Sequence, residues 1–432
     1  MSRGDEDLSA RSICLKLRQM QDELNSTLLR TSPSAIASQT GVAITSALAA
    51  LSLLSAPALA HATIAKPTTS NLTAATTTRN PAEVSKSATS GQVPSRDIDS
   101  TSAESTAQIP SHLIHIPDLA DEESYFGRHA FVADKSARTL EIWRTRNGSF
   151  ERIASFPADM GKNDGDKQQR GDHKTPEGIY FLLDRLEGAG LDFSQYGSRA
   201  YTTDYPNLFD KLDRKTGDGI WLHAVPDNVP LTRGSRGCVV VRNEIVKTLD
   251  PYIRLNRTPI IISDKVEVRA ARDQRQRADE LRRWLDTWRD GWENSANSQK
   301  LDTYMSYYDE TFKSLGMNKS EWREFKQRLS SENGKIEIRI SEPMVLEHRG
   351  RAVLRFVQAY SSEKLSDLGE KTLHLLKRGD EWKVISETWM ADNSPLARLA
   401  IEAAGRGEVQ RTSTSQNGHR SASSAEVSAT RN

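Results

Sequence analysis

Between Tyr125 and Val266 the apolar residues come in short runs, several V/I/W-rich and only about five residues long, separated by Gly, Asp, Asn and Pro. Runs of that length and composition fit strands, so this stretch predicts a mainly β domain. The strand candidates are His129–Ala133, Thr139–Arg144, Ile179–Asp184, Gly219–Ala224, Cys238–Val241 and Pro259–Ile262. One helix is expected from Asn243 to Leu255, where Ile245, Leu249, Tyr252 and Ile253 share a face.

The chain is 432 residues long, which allows two or three domains. Its 59 basic and 58 acidic side chains leave a formal net charge of +1. That balance provides no global field for nucleic acid or an anionic membrane, so neither partner is expected. Hydrophobic residues make up only 36% of the chain, so part of it is not packed. The unpacked part has clear locations. Residues 61–110 are rich in Ser, Thr, Ala and Pro and read as a flexible linker, and the segment from 393 to 432 reads as a disordered tail. No side chain from Thr31 to Ala60 is charged, and Val42 to Ala60 is an apolar run ending in Ala58-Leu59-Ala60, the small-x-small pattern of a signal peptidase site. Residues 1–60 are therefore expected to be an export signal, which places the protein in the periplasm or cell envelope. An uncleaved membrane anchor is the alternative, because an apolar run of about 19 residues approaches the roughly 20 that span a bilayer.

The chain has 2 cysteines, too few for a disulfide scaffold or a Cys-rich zinc site. Cys14 precedes the apolar run Val42 to Ala60, so Cys238 is the one cysteine in the expected exported region. It lies in TGDGIWLHAVPDNVPLTRGSRGCVVVRN, where His223 closes one strand and Cys238 opens another after the turn Gly234-Ser235-Arg236-Gly237. A neutral imidazole can take a thiol proton, and Arg233 and Arg236 favour the thiolate. The plainer alternative makes Cys238 a small buried hydrophobe and His223 a hydrogen-bonded core residue.

The surrounding landmarks favour chemistry. The strand pair in FVADKSARTLEIW is followed by Thr175-Pro176-Glu177-Gly178, then Tyr205-Pro206-Asn207 with Asp210, GIWLH, the SxGC segment from Ser235 to Cys238, Asn243-Glu244-Ile245 and the strand Thr258 to Ile262. In this order they resemble the L,D-transpeptidase catalytic domain family, cysteine enzymes that act on peptidoglycan stem peptides. The resemblance implies a β-sandwich with Cys238 as nucleophile and His223 as general base. It implies an oxyanion hole from the main-chain amides of Arg236, Gly237 and Cys238, and a loop-ordering role for Ser235. Arg236 stands where the motif's second residue is usually His, Val240 replaces an Arg common two positions after the cysteine, and Ala224 replaces the Gly that often follows the histidine. The Ala224 carbonyl is still expected to orient the imidazole. Arg233 and Arg236 are candidates for binding a stem-peptide carboxylate, or are solvated loop cations. Tyr205 and Asn207 are further substrate-binding candidates.

The segment GKNDGDKQQRGDHKTPEG lacks the order of a phosphate loop and the acidic spacing of a calcium loop, so it is read as a substrate-side loop, and neither a metal nor a cofactor is expected.

From Gln274 to Glu293 the residues Leu281, Trp284, Leu285, Trp288 and Trp292 form a helical stripe. A second helix is expected to carry Tyr304, Tyr308 and Phe312, and a third Trp322, Phe325 and Leu329. The strands Lys335–Ile340, Ala352–Tyr360, Lys371–Lys377 and Trp382–Thr388 follow. Helices followed by an antiparallel sheet make an α+β domain. This order resembles the nuclear transport factor two-like (SnoaL-like) cone fold. The aromatic stripe is expected to be core, with a glycan or protein ligand pocket or a homodimer face as the sharper alternative.

The organisation expected is thus a catalytic domain over 111–266 and an accessory cone-fold domain over 272–392. The function implied is a cysteine L,D-transpeptidase working on tetrapeptide stems through an acyl-enzyme. An L,D-carboxypeptidase that trims tetrapeptide to tripeptide and a non-catalytic wall-binding protein are the alternatives.

Overall fold

The computed structural model describes residues 108–118, 124–146 and 148–405, all within one compact unit. The expected export segment with Cys14, and the expected linker up to residue 107, lie outside the described residues, as does the segment from 406 onward.

The short apolar runs become one eight-stranded sheet. Its spatial order is Ser149–Pro157, Thr139–Arg146, His129–Asp134, Pro259–Ser263, Gly178–Glu187, Arg199–Thr203, Trp221–Val225 and Val239–Arg242. Two neighbouring pairs are parallel, Pro259–Ser263 with His129–Asp134 and Trp221–Val225 with Val239–Arg242. The sheet curls until its ends meet: Asp159, just beyond the first strand, exchanges backbone hydrogen bonds with Val240 in the last, at 2.7 and 2.8 Å. The layers of the sandwich are therefore one sheet folded over itself.

Alternation along the central strands serves two cores. Phe131, Ala133, Ile260 and Ile262 point into the curl, while Ala130, Val132 and Ile261 point out into a second cluster with Met344, Leu346, Val353 and Val357 of the accessory domain. Burial on both faces explains why these strands read as unbroken apolar runs. The accessory strand Arg351–Ser361 behaves likewise, with Leu354 and Phe356 facing the interior of its own domain and Val353 and Val357 facing the catalytic one.

The helix expected to reach Leu255 ends earlier, at Asn243–Thr248, followed by a 3-10 turn Asp250–Tyr252. Pro251 has no N–H to continue the ladder and its ring crowds the preceding turn. Two strands without clear sequence signals complete the sheet, Ser149–Pro157 and Arg199–Thr203.

The accessory domain opens with the helix Ala271–Glu293, whose Leu281, Leu285, Trp288 and Trp292 are buried. The helices Ser298–Met305 and Lys319–Asn333 follow, the latter started by an Asn318/Glu321 capping box. Tyr308 and Phe312, expected on the second helix, lie beyond its end but in the same core. The antiparallel sheet runs Glu381–Ala391, Ser366–Arg378, Arg351–Ser361, Met344–His348, with Glu337–Ile340 also paired to Arg351–Ser361.

Three boundaries differ from the sequence expectation. Gln108–Pro110, assigned to the linker, pairs with Val268–Ala270. Leu113–His115, assigned to the catalytic domain, is an edge strand of the accessory sheet beside Met344–His348. Residues 395–405, assigned to the tail, are helical, and Ala397, Ala400 and Ile401 are buried in the cluster between the domains.

Candidate active site

His223 is the third residue of the strand Trp221–Val225, where it pairs in parallel with Val240. Extending that register places Cys238 beside Trp221, and residues opposite one another in a sheet point to the same face. Packing agrees, because Cys238 clusters with Val225 and Val240 and against Trp221. Nucleophile and base candidates thus emerge on one face of adjoining strands, brought there by the loop between them.

The imidazole is fixed by backbone. His223 Nδ1 lies 2.6 Å from the Ala224 carbonyl oxygen. A carbonyl only accepts, so Nδ1 carries the proton and Nε2 keeps the lone pair a base needs. Tyr196, from the short helix Phe193–Tyr196, covers the ring at a centroid distance of 5.1 Å and also packs on Trp221 at 4.8 Å.

The cysteine turn is held from within. Ser235 Oγ donates to the Cys238 carbonyl oxygen at 2.7 Å and accepts from the Gly237 amide at 3.0 Å. The Gly237 amide, one of the three expected oxyanion donors, is thereby engaged in ordering the turn. Gly237 has a φ of 130°, and a Cβ there would sit 2.7 Å from the Lys174 carbonyl oxygen. Only glycine fits that close approach without strain. Cys238 Sγ donates to the Gly219 carbonyl oxygen at 3.4 Å.

Electrostatics correct one expectation. Burial pushes the Cys238 thiol up to about 11, outweighing the Trp221 amide and the charges of Arg236 and Lys167, which favour thiolate. Burial, with Arg233 and Arg236 adding to it against the Ala224 hydrogen bond, pushes His223 down to about 4. Arg236 pulls the thiol as expected while Arg233 acts on the imidazole instead, but desolvation wins and the resting pair is neutral thiol and neutral imidazole.

Arg233 and Arg236 are exposed, and Arg236 Nη2 donates to Gln195 Oε1 at 2.9 Å, tying the cysteine turn to the Tyr196 helix. Nothing in the sequence marks Gln195 or Tyr196, and Trp221 is marked only as part of the GIWLH strand. Tyr205 and Asn207 are engaged in contacts within the fold. The Tyr205 hydroxyl donates to the Thr216 carbonyl oxygen at 3.1 Å and its ring packs on Tyr180. Asn207 caps the helix Leu208–Leu212, and its Nδ2 donates to the Ile179 carbonyl oxygen at 2.8 Å.

The 161–178 loop is held by an ion pair of its own, Lys167 with Asp172 at 2.7 Å, and by Lys215 from outside it, which pairs with Asp166 at 2.8 Å. Among the described residues no cluster of three or more His, Cys, Asp or Glu is arranged to hold a metal ion, and no helix is long and apolar enough to cross a membrane.

In the accessory domain the aromatic stripe is core: Trp288, Tyr304, Tyr308 and Phe312 are buried together. Within it the buried Glu387 carboxylate meets Lys371 at 3.1 Å, Lys326 at 3.5 Å and the Tyr308 hydroxyl at 2.9 Å. Although burial pushes Glu387 up, the two ammonium groups hold it below the usual carboxylate range.

Known proteins agree with this architecture. The L,D-transpeptidase catalytic domain (YkuD) profile matches residues 128–262, and the Cds6 C-terminal NTF2-like domain profile matches residues 280–388. The structure of Bd1075 from Bdellovibrio bacteriovorus is 42% identical, covering 67% of this chain and 100% of that one, with a TM-score of 0.60. The helical cell shape determining protein Pgp2 of Campylobacter jejuni, solved as a point mutant, shares the fold at 23% identity, covering 66% of this chain and 93% of that one, with a TM-score of 0.50. No curated protein matches. With both domains matched and a relative similar along its whole length, the chain belongs to the L,D-transpeptidase catalytic-domain family and carries a C-terminal NTF2-like domain.

Proposed function

We propose that this family member is a cysteine L,D-transpeptidase acting on peptidoglycan tetrapeptide stems in the cell envelope. The observation that carries the reading is the pairing of strands that puts Cys238 and His223 on one face, with the imidazole tautomer set by the Ala224 carbonyl. His223 Nε2 takes the Sγ proton as sulfur attacks the carbonyl of the L-centre diamino acid. The amides of Arg236 and Cys238 face the developing oxyanion. The tetrahedral intermediate expels D-alanine, whose amine leaves with the proton from His223, and a thioester remains. An amine from a second stem then gives a 3→3 crosslink, whereas water gives a tripeptide and makes the enzyme an L,D-carboxypeptidase.

The neutral resting pair fits this order of events, because proton transfer then accompanies attack instead of preceding substrate binding. Arg236 and Arg233, exposed beside the site, are the groups available to a stem carboxylate. The apolar segment ending at Ala60 supports export to the periplasm or envelope. A glycan or protein ligand of the accessory domain, and a homodimer, are secondary readings.

The test is incubation of the full-length protein with disaccharide-tetrapeptide, followed by mass spectrometry. Crosslinked dimers establish transpeptidation, and tripeptide plus D-alanine establishes the carboxypeptidase. Absence of both, with no Cys238 adduct from a carbapenem, makes the chain a non-catalytic wall-binding protein. Cys238→Ala must abolish any product.

A further inference from the structure

The accessory domain touches the catalytic one at the 161–178 loop. Between the strands Met344–His348 and Arg351–Ser361 the turn residues Arg349 and Gly350 both have positive φ, 49° and 73°. The turn sends Arg349 Nη1 to within 2.6 Å of Glu177 Oε2 in the Thr175-Pro176-Glu177-Gly178 element. The Glu177 side chain is 3% exposed, and its other oxygen accepts from Lys135 Nζ at 2.8 Å. Lys135 also donates to the carbonyl oxygens of Gly165 at 2.7 Å and Thr175 at 3.2 Å, so it pins both limbs of the loop. The Glu177 amide completes the clasp by donating to Asp166 Oδ1 at 2.8 Å.

From that clasp the loop reaches the cysteine turn in three places. Thr175 Oγ1 accepts from the Gly161 amide at 2.8 Å. On either side of Gly161, the Ser235 amide donates to the Met160 carbonyl oxygen at 2.7 Å and the Lys162 amide donates to that of Ser235 at 3.0 Å. The Lys174 carbonyl oxygen fills the space beside Gly237, 2.7 Å from where a Cβ would stand. A carboxylate this buried needs its cations, because one left short of charge compensation relaxes by moving. Glu177 belongs to the same loop that meets the cysteine turn, so a shift of its carboxylate is carried along that loop.

We propose that Arg349 is a positioning residue for Cys238: the NTF2-like domain supplies the second cation of Glu177 and thereby sets the loop against which the Ser235–Cys238 turn rests. This rests on Cys238 being the nucleophile. It gives the accessory domain a part in the reaction that does not depend on any ligand of its own.

The experiment uses full-length protein carrying Arg349→Ala, Arg349→Lys, Arg349→Gln or Asp392→Asn. The last weakens a different contact between the domains, that of Asp392 with Arg257 and the Tyr125 hydroxyl. Iodoacetamide alkylation of Cys238 is followed by peptide mass spectrometry from pH 6 to 10, well below each variant's melting temperature, alongside kcat and KM on the tetrapeptide. In Arg349→Ala, alkylation at pH 8 is expected to rise about threefold as the turn loosens and the thiol gains solvent, and kcat to fall about tenfold with KM within about twofold. Arg349→Lys restores most of both, and Asp392→Asn leaves both at the wild-type values. Arg349→Gln replaces Arg349→Ala should the latter fail to fold. Wild-type alkylation rate and kcat in a folded Arg349→Ala or Arg349→Gln protein overturn the proposal, as do equal effects from Asp392→Asn. If the wild type turns over no stem, the transpeptidase reading falls while the alkylation comparison still decides the role of Arg349.

Discussion

His223 Nδ1 and the Ala224 carbonyl oxygen are 2.6 Å apart, so the imidazole is oriented by the backbone of its own strand and no third side chain is required to hold it. Because burial and the two arginines push the imidazole down to about 4, it stays unprotonated well below its ordinary titration, as a weaker base than a free histidine.

Acylation of Cys238 is therefore expected to keep its rate down to mild acid, with an acid limb near pH 4 where the imidazole becomes charged. The thiol, pushed up to about 11, makes alkylation by iodoacetamide climb steadily through pH 9 without a plateau at neutral pH. Rates read by adduct mass against pH check both. An acid limb between pH 6 and 7 together with a neutral alkylation plateau would mean a preformed thiolate–imidazolium pair.

Folding stability should fall on acidification from pH 6.5 towards 4. Burial lowers the imidazoles of His112, His223, His348 and His374, the last three to about 4, 3 and 4. Unfolded, each titrates near its ordinary value of about 6.5, so in this window the unfolded chain binds protons that the folded one refuses. Each contributes a slope of at most about 1.4 kcal/mol per pH unit. Asp204, raised by burial to about 7, opposes them, since there the folded state holds the extra proton. Asp210, likewise raised by burial, opposes them too, and four imidazoles against two carboxyls leave a net loss. Calorimetric melting temperatures between pH 7 and 4.5 test it, and His374→Gln should flatten the curve; a wild-type profile without slope counts against this account.

Ser235→Ala removes both hydroxyl bonds that close the cysteine turn. A loss of about 1–3 kcal/mol in stability is expected, and acylation should slow about tenfold as the turn relaxes. Gly237→Ala forces a Cβ to within 2.7 Å of the Lys174 carbonyl oxygen at a φ of 130°. It is expected to cost at least about 1–3 kcal/mol and to lose the adduct altogether. Denaturant melts and carbapenem acylation rates check the pair, and an acylating, fully stable Gly237→Ala protein contradicts the packing described.

Trp288 is fully buried, its Nε1 donating to the Tyr308 hydroxyl at 3.2 Å. Trp288→Ala should cost about 3–5 kcal/mol. Because the two domains share a core, the catalytic domain should melt in the same transition. Two separated transitions, one at the wild-type temperature, would show the domains to be energetically independent.

Much of this was legible in the sequence, for physical reasons. Strands such as Pro259–Ser263 announce themselves because both faces are buried, and the stripe Leu281, Leu285, Trp288, Trp292 announces its helix because one face is. Ser149–Pro157 was missed because it lies at the end of the sheet with a largely half-exposed pattern. Pro251 carried the signal that the Asn243 helix stops short, and periodicity alone overrode it. The ionisation state of Cys238 was misjudged from neighbouring charge because burial, the larger effect, is set by tertiary packing. The contact of Arg349 with Glu177 had no sequence signal, since its partners are 172 positions apart (349 − 177).

The edge strand Leu113–His115 lies ahead of the catalytic domain in the chain and inside the accessory sheet in space. The junction near Ala270 therefore looks like a place to cut, yet a fragment that begins there leaves behind a strand of its own sheet and bares the edge of Met344–His348 for mispairing. Recombination at that point would be punished in the same way. The two domains are thus expected to be inherited together, as a single unit of exchange, wherever this arrangement of strands occurs.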